Sequence, residues 1–119
     1  AEITSILDHA EIHLLLHANP DGRYVAETNR FVYKRKNMNP SNLCENAGEI
    51  GVDLNRNFPF MWGLDNGSSF NPCSSTYRGP HPASEPEVQA IVNYTSNIFP
   101  ESQRKNDPLG YNINDAYHE

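Results

Sequence analysis

The residues best suited to chemistry lie in one short stretch, Gly51-Val52-Asp53-Leu54-Asn55-Arg56-Asn57-Phe58. Asn55, Arg56 and Asn57 set a guanidinium and two amides directly after an apolar run, where side chains at the end of a strand line a crevice. A guanidinium so placed forks onto a carboxylate through two parallel N–H donors. It pairs equally well with an internal acid, and Asp53 stands close by in the chain. The basic run Lys34-Arg35-Lys36 has two readings of its own, a solvated face or a further charge for the same crevice.

The elements that must position these groups follow from periodicity and turn chemistry. Residues 3–8 read as the end of a helix, and Glu11 to His17 as a short apolar strand buried on both faces. Asn19-Pro20-Asp21-Gly22 reads as the turn that closes this strand. A mixed basic stretch over 24–36 and a loop over 37–48 lead to a second apolar strand, Ile50 to Leu54, and another loop spans Pro72 to Pro82. Ser84 then opens a helix as its N-cap, with Glu87 completing a capping box, Pro86 in the first turn, and Val88, Ile91, Val92 and Thr95 as the buried stripe. Pro100 stops that helix, and 101–119 reads as a polar, solvent-facing connection. Helix, strand, loop, strand, loop and helix together indicate an α/β fold, seen in part.

Composition bounds the possibilities. A chain of 119 residues suits one domain. Only 37% of residues are hydrophobic, and nine Pro and seven Gly are spread along the chain, so much of its length is loop. Fifteen acidic residues against nine basic ones give a formal charge of -6, which argues against a nucleic-acid partner. Its longest apolar run, Leu14 to Leu16, is far shorter than the roughly 20 residues of a membrane span, so no bilayer crossing is expected. Cys44 and Cys73 stand in loop-like sequence, either as one disulfide formed in an oxidising compartment or as two reduced thiols. A bridge between them would close a loop of about 30 residues and stabilise the fold by roughly 3 to 4 kcal/mol.

Taken in order, Asn19 to Gly22, Asn29-Arg30, Arg35-Lys36, Cys44, Gly51 to Asn57, Cys73, Tyr77, Gly79 and Ser84 to Glu87 resemble the motif series of zinc carboxypeptidases of the carboxypeptidase A type. This resemblance covers about residues 1–100 and implies an interior fragment of a single catalytic domain. The implied fold is a partial carboxypeptidase-like mixed sheet with flanking helices and long active-site loops. By the same resemblance Asn55 and Arg56 bind the terminal carboxylate of a peptide, and Arg35 stabilises the oxyanion that forms when the scissile carbonyl is attacked. Lys34 is the alternative for the oxyanion role. Cys44 and Cys73 match two positions that pair with each other in animal members, and a secreted or periplasmic setting follows.

Zinc is implied for the parent enzyme, yet its ligands are not expected in this chain. The family's His-x-x-Glu pair is absent, because His9, His13, His17 and His81 are followed three residues later by Ile12, Leu16, Pro20 and Ser84. On a strand His13 and His17 would share a face but stand roughly 13 Å apart, too far for one ion. The expected role is therefore part of a metallocarboxypeptidase acting on peptide or protein C-termini, inactive without the remainder of its domain. Two rivals stay open: a non-catalytic module that binds peptide carboxylates, and a scaffold in which Arg56 pairs internally.

Overall fold

A computed structural model describes residues 4, 8–29, 33–45 and 49–98. Wholly within them lie the α-helices α1 (Pro20–Thr28) and α2 (Pro86–Ile98) and the short 3-10 turns Leu54–Arg56 and Leu64–Asn66, and residues 4, 8 and 9 are helical as well. The helix end expected over 3–8 falls largely outside the described residues, and the connection expected over 101–119 does so entirely.

Asn19 to Gly22 is not a free-standing turn but the start of α1. Asn19 is the N-cap, its side chain accepting from the Gly22 amide at 3.0 Å, and Pro20 fills the first helical position. Asp21 adds an acid to the first turn, where the helix dipole favours it. The same four residues that make a good turn also make a good helix start, and the helix-compatible stretch that follows decides between them.

The mixed sheet expected from the resemblance is not seen among the described residues. Two isolated bridges occur, Leu43 with Ile50 (antiparallel) and Ser69 with Tyr77 (parallel). Residues 11–17 form no strand, and Leu14 and Leu16 are 79% and 83% exposed. A strand buried on both faces requires neighbouring strands and covering helices, and the described residues provide neither for this run. His13 instead bonds the Tyr94 hydroxyl of α2 at 2.7 Å.

The second expected strand, Ile50 to Leu54, is not formed either: Ile50 makes an isolated bridge, 51–53 are buried with hydrogen bonds on both sides, and Leu54 begins a 3-10 turn. Val52 accepts from the Asn37 amide at 2.9 Å, and the Asp53 amide donates to the Tyr77 carbonyl at 2.9 Å. Gly51 is required at its start: φ is +93°, and a Cβ there would lie 1.9 Å from the Asn37 carbonyl oxygen. Gly79, at φ +88°, similarly admits the Asn57 amide nitrogen, which a Cβ would meet at 2.6 Å.

Helix α2 begins one residue later than the capping-box reading requires. The Gln89 amide donates to the Glu85 carbonyl at 3.0 Å, so Glu85 occupies the N-cap position and Pro86 the first helical one. Ser84 does not cap, because its hydroxyl donates to Glu85 Oε1 and accepts from Asn57 Nδ2, both at 2.8 Å. Glu87 accepts from Asn37 at 3.3 Å rather than closing a box. Val88 is fully buried, while Ile91, Val92 and Thr95 are half-buried on the same stripe.

The centre of the molecule is unusually polar. Cys44, Val52, Leu54, Tyr77 and Val88 form the buried apolar set, interleaved with Lys36, Asn37, Asn42, Asp53, Asn57 and Glu85. Such groups are tolerated in an interior only when hydrogen-bonded. Glu85 shows how: its carboxylate accepts from Asn37 Nδ2 at 2.7 Å, Asn39 Nδ2 at 2.8 Å, Asn42 Nδ2 at 3.4 Å and the Ser84 hydroxyl. Cys44 and Cys73 form a disulfide across 29 positions of sequence, tying this centre to the loop over 72–82.

Candidate functional site

Local sequence dictates the geometry at Asp53 to Asn57. The Asp53 side chain bonds the Asn55 amide two residues on at 3.2 Å, an arrangement short acidic side chains favour, and so starts the 3-10 turn Leu54–Arg56. Asn57 ends that turn, and its buried amide group holds the Arg78 carbonyl at 2.8 Å and the His81 carbonyl at 3.1 Å. Leu54 points into the core while Asn55 remains exposed and Arg56 half-buried.

The partner of the turn's acid, Asp53, is Arg35 rather than Arg56. Arg35 Nη2 lies 2.7 Å and Nε 2.9 Å from Asp53 Oδ2, and the Asp53 side chain is 3% exposed. This hydrogen bond, foremost, raises the Arg35 pKa above its ordinary value, with Tyr33 contributing in the same direction. Arg56 donates through Nε to the Gly67 carbonyl at 2.9 Å and through Nη1 to the Asn55 carbonyl at 3.0 Å. Among the described residues it has no carboxylate partner.

Two cavities open beside the turn. One, of about 270 Å³, is lined by Asn19, Arg35, Asp53, Asn55, Phe58 and Ile91 among others. The second, of about 220 Å³, has Asn55, Arg56, Phe58, Met61, Trp62 and Ser68 on its walls. Asn55 and Phe58 belong to both. Arg35 and Arg56 thus face different hollows with Asn55 between them.

The other two cations of the basic run lie elsewhere. Lys34 Nζ donates to the Ile50 carbonyl at 2.9 Å, and Lys36 Nζ donates to the Pro72 carbonyl at 2.6 Å while standing 5.8 Å above the Tyr77 ring. Burial lowers the pKa of both lysines. Burial likewise raises that of Tyr77, with the nearby Glu85 carboxylate adding to it. Neither lysine lines the two cavities.

Sequence reasoning assigned Asp53 only to Arg56 and gave Asn19 no part in the site. Asn19 Nδ2 contacts the Lys36 carbonyl at 3.2 Å and the Arg35 carbonyl at 3.4 Å, fastening the start of α1 to the basic run. The usable signal for Asp53 was its spacing, since an acid two residues before an exposed Asn is a common side-chain-to-backbone turn. For Asn19 the sequence signal was its place at the head of Asn-Pro-Asp-Gly, which reads as a turn and does not tell which carbonyls its amide will hold.

As for a metal, no group of three or more His, Cys, Asp or Glu able to hold an ion exists among the described residues. They therefore do not fit a zinc site. No helix among them is long and apolar enough to cross a membrane.

Comparison with known proteins brings these features together. The family model described as zinc carboxypeptidase matches residues 1–114. Human carboxypeptidase A5 is 48% identical over 93 residues, covering 77% of this chain and 20% of that protein. Mouse carboxypeptidase A1 is 43% identical over 95 residues (79% and 21%), and metallocarboxypeptidase A of Trichophyton rubrum 43% over 93 residues (77% and 21%). The chain thus matches about a fifth of the length of these curated relatives. With a match running through nearly every residue, including the turn that carries Asn55 and Arg56, this chain belongs to the zinc carboxypeptidase family.

Proposed function

We propose that this chain is the part of a metallocarboxypeptidase that grips the free C-terminus of a peptide, with Asn55 and Arg56 as the carboxylate clamp and Arg35 as the oxyanion-stabilising cation. One observation carries the reading: Asp53 is taken by Arg35, which leaves Arg56 on a cavity wall without an acid partner among the described residues. A guanidinium has five N–H donors, and the contacts to Gly67 and Asn55 use only Nε and Nη1. Nη2 remains for an anion. A main-chain carboxylate exists only at a chain end, so a group that grips it favours exopeptidase action.

Arg35 is preferred to Lys34 for the second role because it lines a cavity together with Asn55, whereas Lys34 is spent on the Ile50 carbonyl. Zinc, where the parent binds it, is held by residues outside those described. The rest of the catalytic domain is the natural cover for Leu14, Leu16 and Tyr33, which are 79%, 83% and 84% exposed. The disulfide supports a secreted or periplasmic setting.

The test is Arg56→Ala in the full-length parent, assayed on matched peptides with free and amidated C-termini. Loss of a hydrogen-bonded charge of about 1.5–3 kcal/mol lowers kcat/KM for the free acid about 10- to 150-fold, largely through KM, and leaves the amidated peptide little affected. Equal kinetics for variant and wild type on the free acid would remove Arg56 from the site. Binding that depends on Arg56 in a parent that does not hydrolyse would instead make this a carboxylate-binding module.

A further inference from the structure

Asn66-Gly67-Ser68 and Asn93-Tyr94-Thr95 are the chain's two Asn-x-Ser/Thr triplets without a central Pro. The first starts at the end of the 3-10 turn Leu64–Asn66, and the second lies inside α2. Asn19, Asn37, Asn39, Asn42, Asn57 and Asn71 each use their side chains to hold the fold. Asn66 is exposed, and its side chain makes no hydrogen bond among the described residues. Its φ of +53° is left-handed, which asparagine tolerates and glycine would serve equally well, so the backbone accounts for residue 66.

The backbone does not account for Ser68. Its hydroxyl oxygen is buried and has no hydrogen-bond partner among the described residues, an arrangement that costs stability. Thr95, by contrast, donates to the Ile91 and Val92 carbonyls at 2.9 and 3.1 Å. The Thr95 hydroxyl thus has a place in its helix, whereas that of Ser68 has none in the fold. The turn also has room for a large substituent: Gly67 is exposed, and a Cβ there would have only the Leu64 carbonyl oxygen within reach, at 3.9 Å. Gly67 and Ser68 line the cavity that carries Arg56, beside exposed Phe60, Met61 and Leu64. A hydrophilic group at this rim would shield those apolar side chains from other molecules.

We propose that Asn66 is an N-glycosylation site, carrying an oligosaccharide linked through N-acetylglucosamine at the rim of the cavity that holds Arg56. The proposal rests on the secreted setting read from the disulfide and does not depend on the roles of Arg35 and Arg56. The donor is an oligosaccharide on a polyprenyl diphosphate. Asn66 Nδ2 bonds to the anomeric carbon of its reducing-end sugar, the bond from that carbon to the diphosphate breaks, and Nδ2 gives up one proton. Transfer to a chain not yet folded reaches the Ser68 hydroxyl before folding buries it, so the group that the fold leaves unused is the one that the transfer requires.

The test is glycopeptide mapping of the full-length parent secreted by its native source, with Cys44 and Cys73 followed in the same digest. The peptide containing Asn66 is expected to carry hexose and N-acetylhexosamine mass, which an amidase specific for Asn-linked glycans removes. Aspartate at 66 without carbohydrate, the mark of spontaneous deamidation at an Asn-Gly pair, overturns the proposal, as does carbohydrate at Asn93 alone. In the parent secreted from the same host, Asn66→Gln and Ser68→Ala should each abolish the sugar at 66, and Ser68→Thr should keep it. Full occupancy in Ser68→Ala overturns the proposal too. Native mapping needs no variant, so a substitution that prevents folding leaves the test intact. A bare Asn66 in a secreted, disulfide-bonded parent sinks the site alone. A bare Asn66 in a parent kept inside the cell with both thiols reduced sinks the secreted setting with it.

Discussion

Asp53 and Glu85 are both buried acids, and they reach the interior by different routes. Asp53 is matched by a full positive charge on Arg35, whereas Glu85 is satisfied by neutral donors from Asn37, Asn39, Asn42 and Ser84. Removing the second acid strands the amide groups of Asn39 and Asn42 and the Ser84 hydroxyl hydrogen, and leaves Asn37 only its longer contacts with Glu87. Glu85→Ala is therefore expected to destabilise the parent by about 3–5 kcal/mol, read from the urea midpoint, and Glu85→Gln by less, because its amide oxygen still accepts. Arg56→Lys tests the shape of the clamp rather than its charge: kcat/KM on free C-terminal peptides should fall about tenfold, because an ammonium cannot fork. A lysine variant as fast as wild type would mean that charge alone suffices. At this scale the place of Asn55 and Arg56, directly after a buried apolar run and themselves exposed and half-buried, was legible in the sequence. The identity of Asp53's partner was not, since Arg35 stands 18 positions away in sequence and only folding brings the two together.

At the scale of elements, α1 and α2 both start on side chains that serve more than the helix. Asn19 caps α1 and also holds the Lys36 and Arg35 carbonyls, so Asn19→Ala should cost about 1 kcal/mol for the cap and loosen the basic run as well. Thermal unfolding of the parent measures the first effect, and faster amide exchange over 33–37 the second. The start of α2 was readable in sequence to within a residue, because Pro86 and the apolar stripe are local signals. Which residue caps it was not, since Ser84 is drawn away by Asn57 and Glu85, partners fixed by tertiary packing. The strand expected over 11–17 shows the opposite limit. Its apolar run is plain in the sequence, but a strand is defined by its neighbours, and Leu14 and Leu16 have none covering them here.

For the molecule as a whole, a small apolar centre leaves the covalent bond between Cys44 and Cys73 with a large share of the stabilisation. By the chain-entropy account, a closed loop of this length contributes about 3–4 kcal/mol, so paired replacement by Ala should lower the stability of the parent by about that amount. Reductant should then destabilise the wild type while leaving the cysteine-free variant unmoved. Lys36 links this bridge to the site: its ammonium sits on the carbonyl of Pro72, the residue before Cys73, and the next residue back in sequence is Arg35. The two hollows beside the turn lead to a last consequence. Asn55 forms part of the wall between them, and its side chain has one oxygen and one NH2 group to offer. Occupants on either side that both draw on this amide must then be unlike, one presenting an acceptor and the other a donor. A peptide lying across that wall would be sensed head from tail.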